Sequence, residues 1–484
     1  MTKRLPCPPA PGPLEEYAER FDDRLGTLAQ RRGFREYLQG LLLPRDRHKT
    51  LTGLVGTEPV VGAQAPSAQR LQFFLSESPW DTEAINRRRL ELLVTEPATA
   101  PHAAGVLVID DSGDRKAGTK TAHVARQYLG SIGKVDGGIV AVTSLWADEG
   151  IYYPLHVRPY TPAARLPKGK ADPAFRTKPQ LAVELVDAAC DAGFSFRAVV
   201  ADCFYGENAT FEGALAKAGL PYVVALKPSS GIWAPADAVH TPEEAARELR
   251  WSGPDEPGDW TPVVRRFRDG HEETWWAADL RYGPHGPEKA RRVVVATTDP
   301  ATLPPLTTWY LATNLPHPDA PDADGTPFAP ADLAEIVRLY GLRNWVEQGY
   351  KQLKQELGWA GLTSWSAPTR RSVGIGTSSS VPSPSAGGRG SRPDRRPPRP
   401  ILRQRPTLAP SRRRSGGKMA PQRPTPPRSV SWPRTLRQVR GWLDPWTFLW
   451  RCWHAWSNAP PPPELRALLD AVGQGHPLDL YLRS

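Results

Sequence analysis

The spacing of apolar residues changes several times along this chain, and each change marks a candidate boundary. Residues 1–14 are Pro-rich without periodicity, which predicts disorder. Over 15–98 apolar positions recur every three or four residues, as at Tyr17, Phe21, Leu25 and Leu28, predicting a small helical domain. Its arginines, among them Arg31, Arg32, Arg35, Arg45 and Arg47, suit either a phosphate-binding face or an ordinary solvated helix surface. From Gly105 the texture becomes that of buried strands, with the short apolar runs GVLVIDD, GGIVAVTSLWA and IYYPLHVRPY. KPQLAVELVDAACDAG then reads as a helix, FRAVVAD as a strand, NATFEGALAKAG as a helix and PYVVALKP as a strand. Three strands in succession, then alternating helices and strands, predict a mixed α/β sheet over 99–231.

Four more strand-like runs follow (TPVVRRFRDG, ETWWAADLRYG, ARRVVVATT and TTWYLATNL), predicting a mainly β insertion over 232–316. After Pro330 one long helix is expected, ADLAEIVRLYGLRNWVEQGYKQLKQELGW, which returns 317–365 to the α/β core. The segment 366–431 breaks the pattern. Its stretch 366–429 has no Phe, Tyr or Trp and is dominated by Arg, Pro, Ser and Gly, so it cannot bury a core and is expected to be disordered. From Trp432 an aromatic-rich helical texture resumes, giving C-terminal helices over 432–484.

Charge changes this picture less than it first promises. The formal net charge is +11, which invites a nucleic-acid reading. Residues 366–429 hold 14 Arg and one Lys against the single acid Asp394, contributing +14 and leaving −3 for the rest. Any nucleic-acid surface in the folded parts must therefore come from local clustering. With 39% hydrophobic residues the chain reads as soluble and globular, and no apolar run approaches the roughly 18 residues of a membrane helix. The N-terminus has no apolar signal core. Cys7, Cys190, Cys203 and Cys452 are scattered without a CxxC pair, which argues against a disulfide framework or a zinc site and fits a cytoplasmic location.

Candidate chemistry lies in acids. Asp110 and Asp111 end one predicted buried strand and Asp202 ends another, and ligands collect at the C-terminal edge of such sheets. An aspartate there equally caps a following helix, so each acid alone carries an ordinary structural explanation. On the predicted long helix Tyr340, Arg343, Glu347 and Lys354 fall in the pattern YxxRxxxExxxxxxK. Offsets of 0, 3, 7 and 14 put all four on one face of a continuous helix. An acid between two bases suits a metal ligand flanked by phosphate contacts, and equally a row of spaced salt-bridge partners.

These blocks together resemble the DDE transposases of bacterial insertion sequences. YxxRxxxExxxxxxK is the hallmark of the insertion-sequence 4 superfamily. LVIDDSGDRKAGTKTAHVARQYLGSIGKVDGGIVAV and VVADCFYGENATFEGAL are similar to the first and second catalytic blocks of its insertion-sequence 701 branch. SAQRLQFFLSESPWD and LRQVRGWLDPWTFLWRCWHAWSNAPPPPELRALLD also resemble that branch, so the likeness covers about residues 15–365 and 432–484. The resemblance implies an RNase H-like catalytic core interrupted by a β-rich insertion and preceded by a helical DNA-end-binding domain. It implies Asp110, Asp202 and Glu347 as ligands of Mg²⁺, with Mn²⁺ as substitute, and Tyr340, Arg343 and Lys354 as DNA contacts. Asp110 is preferred over Asp111 because it aligns with the acid of the family's strand-end motif. The implied substrates are the double-stranded terminal inverted repeats and target DNA. The implied active form is a homodimer, cytoplasmic and nucleoid-associated when bound to DNA.

After ELGWA the likeness stops, and it resumes near Trp432. An Arg/Pro/Ser/Gly-rich interval between two family-like stretches is what two compensating frameshifts in a GC-rich gene produce, so residues 361–431 are read as frame-shifted. Since site geometry tolerates errors of only about 0.5 Å, loss of scaffold behind Glu347 predicts weak or absent activity in this copy. The alternative function is a catalytically inactive remnant that only binds DNA. A haloacid dehalogenase-like phosphatase is disfavoured because Ser112 stands where the second acid of a DxD pair belongs.

Overall fold

The computed structural model describes residues 12–43, 50–56, 66–116, 118, 121–230, 232–233, 239–267, 270–280, 292–319, 326–356, 432–457 and 459–474. The first elements are helices, as the three-to-four periodicity predicts from residue 15: α1 Gly12–Glu19, α2 Leu28–Leu42, α3 Leu51–Val55, α4 Pro66–Ser76 and α5 Thr82–Thr95. Helix α1 begins inside the stretch expected to be disordered because Leu14 is buried, and residues 1–11 lie outside those described. Thr27 starts α2 through a capping box with Gln30, and Asp81 caps α5 through the amides of Glu83 and Ala84. Gly56 ends α3 at a left-handed φ of 68°, a conformation open to glycine. The shared core of these helices is Ala18, Phe21, Leu25, Phe34, Leu54, Leu71 and Phe74.

Two arginines of this region are spent internally. Arg35 is buried and holds both Glu15, at 2.8 Å, and Asp22, at 2.7 Å, and Arg31 is buried as well. The phosphate-binding face considered from sequence therefore loses these two cations, because the packed helices bury them. Arg45 and Arg47 lie outside the described residues.

The sheet follows: β1 Val106–Arg115, β2 Ala125–Leu129, β3 Lys134–Ala147 and β4 Tyr152–Pro159, then helix α6 Lys178–Asp191 and β5 Ala198–Ala201. Next come α7 Cys203–Gly206, α8 Ala209–Lys217 and β6 Tyr222–Leu226. A separate two-stranded ribbon, β7 Ile232–Trp233 and β8 Val239–His240, precedes α9 Pro242–Arg247. The remaining strands are β9 Thr261–Arg266, β10 Glu272–Asp279, β11 Arg292–Thr297 and β12 Thr308–Thr313. Ten strands form one sheet in the order β2-β3-β1-β5-β6-β12-β11-β10-β9, with β4 also on β3. The neighbours β1, β5 and β6 are parallel, and every other pair is antiparallel. The predicted mixed α/β sheet is thus present. Strands β9 to β12 prolong that sheet, because β12 pairs with the open edge of β6 from Tyr310↔Leu226 to Thr313↔Val223.

Strand alternation divides the core into two layers. Leu107, Ile109, Val199 and Ala201 face α6 and α8. Val106, Val108, Ala198 and Val200 face α10 Leu333–Gly341 and α11 Asn344–Lys351. The single long helix expected after Pro330 is therefore interrupted. Arg343, Trp345 and Val346 each donate their amide three residues back, to Tyr340, Leu342 and Arg343. That tightening to 3₁₀ spacing separates the two helices, and a π-helical turn, Gln352–Glu356, follows α11. Arg89 of α5 ties the N-terminal helices to the sheet through the carbonyls of Pro154 and Leu155, at 2.7 and 2.6 Å.

The C-terminal helices α12 Trp432–Trp456 and α13 Pro463–Gly473 pack on the N-terminal ones. Leu14, Leu43, Trp442, Leu443 and Val472 form the contact. Gln39 donates to Thr447 at 2.8 Å, and Arg440 reaches the Leu42 carbonyl at 2.9 Å. The frame-shifted reading of 361–431 and the predicted disorder of 366–431 concern residues outside those described. Among the described residues no helix is long and apolar enough to cross a membrane.

Candidate active site

Parallel pairing brings the first two acids together. Ile109 is opposite Ala201 in the β1–β5 register, so Asp110, within β1, and Asp202, just past β5, lie side by side. The strand expected to end at Asp110 and Asp111 runs on to Arg115 because β3 continues to pair with it. The same alternation sends Asp110 and Asp111 to opposite faces. Asp111 turns to α6, where its carboxylate meets Lys178 Nζ at 3.0 Å. Asp110 turns to the α10–α11 layer, where its Oδ2 accepts from Arg343 at 2.9 Å.

Arg343 sits at the tightened turn between α10 and α11, and one nitrogen of its guanidinium gathers three acids. Besides Asp110 it lies 3.9 Å from Asp202 and 3.8 Å from Glu347. Asp110 is buried, whereas the Glu347 side chain is 61% exposed on the outer side of α11. Asp202 takes the capping role weighed from sequence, its Oδ1 accepting the Phe204 amide at 3.0 Å at the start of α7. Burial pushes Asp110 up to about 7 against the pull of Arg343, with Asp202 and Glu347 adding to the rise. Burial likewise raises Asp202 above the usual carboxylate range, again opposed by Arg343. Among the described residues no three His, Cys, Asp or Glu side chains are close enough to enclose a metal ion. The acids here close on a guanidinium.

The other two residues of the helical pattern part company. Lys354, in the π turn, donates to the Gly113 carbonyl of β1 at 3.2 Å. Tyr340 is buried behind the site, edge-on to Trp309 at 5.0 Å, and burial pushes its hydroxyl up to about 12. Tyr340 thus packs in the layer between sheet and helix, apart from the acids' open side.

Sequence reasoning missed three neighbours. Lys178 opens α6 far along the chain from Asp111, and only the fold joins them. Tyr350 bonds its hydroxyl to Thr143, directly across β3 from Asp110. Tyr205 is fully buried, and its hydroxyl has no hydrogen-bond partner among the described residues. Tyr350 lies three residues past Glu347, a helical-face spacing that would have flagged it.

Carboxylates from two adjacent strands and one helix thus meet at a single guanidinium in this α/β protein. The chain matches the family described as DDE superfamily endonuclease over residues 20–287, a stretch that holds Asp110 and Asp202 and ends before Glu347. It is 33% identical over 361 residues to the probable transposase for insertion sequence element IS701 of Microchaete diplosiphon, covering 74% of this chain and 84% of that relative. The chain belongs to the DDE endonuclease family, as a transposase of the insertion-sequence 701 branch.

Proposed function

We propose that this transposase cuts DNA at the terminal inverted repeats of its element and joins the freed ends to target DNA. Asp110, Asp202 and Glu347 would hold Mg²⁺, or Mn²⁺ in its place, on an RNase H-like core. The observation that carries the reading is the convergence of these three acids on one cationic nitrogen. The order β4-β3-β1-β5-β6, with β1, β5 and β6 parallel and β3 antiparallel, supports the RNase H-like assignment.

The donor set fits a hard divalent cation. Its ligands would all be oxygens, and the three acids Asp110, Asp202 and Glu347 share the one guanidinium of Arg343. When bound, such ions activate the attacking oxygen and stabilise the leaving one. Asp110, fixed within β1, and Asp202, at the end of β5, would anchor the site, and the exposed Glu347 would close it from α11. Arg343 bears on the phosphate, and Lys354 supports the strand beside it. Attack of water on the phosphodiester breaks the bond from phosphorus to O3′ and leaves a 3′-OH and a 5′-phosphate. The 3′-OH oxygen then attacks a target phosphodiester, displaces its O3′ and gives up its proton. The active form is a cytoplasmic homodimer, nucleoid-associated on DNA, with the N-terminal helices reading the transposon end.

A second reading, a remnant that binds DNA without cutting, is favoured by the Arg/Pro/Ser/Gly-rich interval that begins just past Glu347. Purified full-length protein, Mg²⁺ and a plasmid carrying the element's repeats separate the two. The expected result is weak nicking that Asp202→Ala abolishes while DNA binding persists. Binding without nicking in wild type favours the remnant, and neither binding nor nicking sinks both.

A further inference from the structure

The stretch from the end of β1 through the hairpin of β2 and β3 carries a concentration of charge that the acid site does not use. Residues 115–136 hold five cations, Arg115, Lys116, Lys120, Arg126 and Lys134, against Asp136 alone. That is +4 within a chain that sums to −3 once 366–429 is set aside. Arg126 and Lys134 are exposed, and the Arg115 side chain is 72% exposed even while bridging Asp136 at 3.2 Å. Two apolar side chains stand out of the same hairpin: Tyr128 is 59% exposed, and Val135, its cross-strand partner, 53%.

Register divides these side chains between the two faces, Arg115 and Lys134 falling with Asp111 and Arg126 with Asp110. Asp110 is opposite Thr143, and stepping by twos along β3 from Thr143 leads to Val135 and, across the ladder, to Tyr128. Arg126, two residues from Tyr128 on β2, shares that face. The exposed tyrosine and its arginine therefore line the sheet face that carries Asp110 and not the one that carries Asp111. Eight residues of strand separate the two rows, about 26 Å, or seven to eight base-pair steps of duplex.

We propose that the β2–β3 hairpin is a second DNA-binding surface, gripping the sugar-phosphate backbone of the duplex that runs away from the scissile phosphate. This rests on the DNA-cutting reading of the acid site. Arg126 pairs with a phosphate while Tyr128 and Val135 lie against the sugars, a mixture of cation and exposed aromatic that suits nucleic acid. The contact is independent of sequence, so it holds DNA during cleavage without choosing the end.

The test is fluorescence anisotropy of a mixed-sequence DNA duplex with full-length protein in Ca²⁺, across a salt series. Arg126→Gln/Tyr128→Ala should weaken binding roughly fivefold or more and lower the salt slope by about 0.9, one phosphate contact. Lys217→Gln, an exposed cation ending α8 on the opposite layer, should leave both unchanged. Circular dichroism checks folding, and Arg126→Gln alone still gives the slope if the double variant fails to fold. An unaltered slope in a folded variant, with wild type binding normally, overturns the hairpin proposal and leaves the acid-site reading intact. Absence of binding by wild type overturns both. A variant that loses self-association but binds DNA equally well would make β2 an edge for pairing two copies, which also overturns it.

Discussion

The docking of the C-terminal helices can be tested at a single side chain. Leu443 of α12 is fully buried among Leu14, Leu43, Trp442 and Val472, in a contact that joins residues on either side of the anomalous interval. Leu443→Ala removes that apolar volume and leaves a cavity that flanking side chains fill only in part. Buried Leu→Ala changes cost about 2.7–5.0 kcal/mol. The cluster is small, so the lower end applies, about 3 kcal/mol, which raises the undocked population roughly 100-fold. Undocking lets α12 fray, which opens its backbone at the arginines to trypsin, while Trp442, Trp446 and Trp450 report it by fluorescence in a urea titration. Leu468→Ala on α13, a position 37% exposed, should shift neither readout appreciably. A Leu443→Ala protein cleaved by trypsin no faster than wild type would show that α12 does not rely on this core. The segment beyond the interval would then be detached from the catalytic body.

Arg35→Met breaks a buried ion triad and should cost roughly 3 kcal/mol, the low end for such pairs because Glu15 and Asp22 keep 16% and 30% exposure. The same variant should leave the salt slope of DNA binding unchanged, and a reduced slope would restore the basic-face reading of the N-terminal helices. His156 is buried on β4 beside Ser144, and burial with Arg89 and Arg158 pushes it down to about 4, Glu83 opposing. A base depressed on folding stays neutral in the native state while the unfolded chain takes up a proton below about 6.5. Stability should therefore be full above pH 6.5 and fall by about 3 kcal/mol as pH drops to about 4. A His156→Gln protein should lack most of that slope, and a slope equal to wild type would remove His156 as its source.

Much of this protein was legible as local pattern. The helical periodicity of 15–98, the buried runs ending in Asp110 and Asp202, and the YxxRxxxExxxxxxK spacing all record constraints between residues close in sequence. Such constraints survive in a string of letters because side-chain period follows directly from backbone geometry. What lay between distant residues was not legible. The choice between Asp110 and Asp111 rested on likeness alone. The fold adds a physical reason, since pairing with β5 assigns one acid to Arg343 and the other to Lys178.

Tertiary packing also overrode the pattern in three places. One expected helix became two at the tightened Arg343 turn, which takes Tyr340 into the core and leaves Glu347 outside. The expected insertion became part of the sheet, because β6 offered an edge that β12 completes. Arg35, one of the arginines that suited either a phosphate-binding or a solvated face, became the counter-ion for Glu15 and Asp22. Meanwhile Arg126 and Tyr128 of the β2–β3 hairpin, inconspicuous beside the +14 of 366–429, gained meaning only once the register put them on the face of Asp110. Sequence alone determined which residues carry charge, which are apolar and at what local period. Only the three-dimensional pairing of strands decided which of them meet, because a contact across a ladder depends on register and not on separation along the chain.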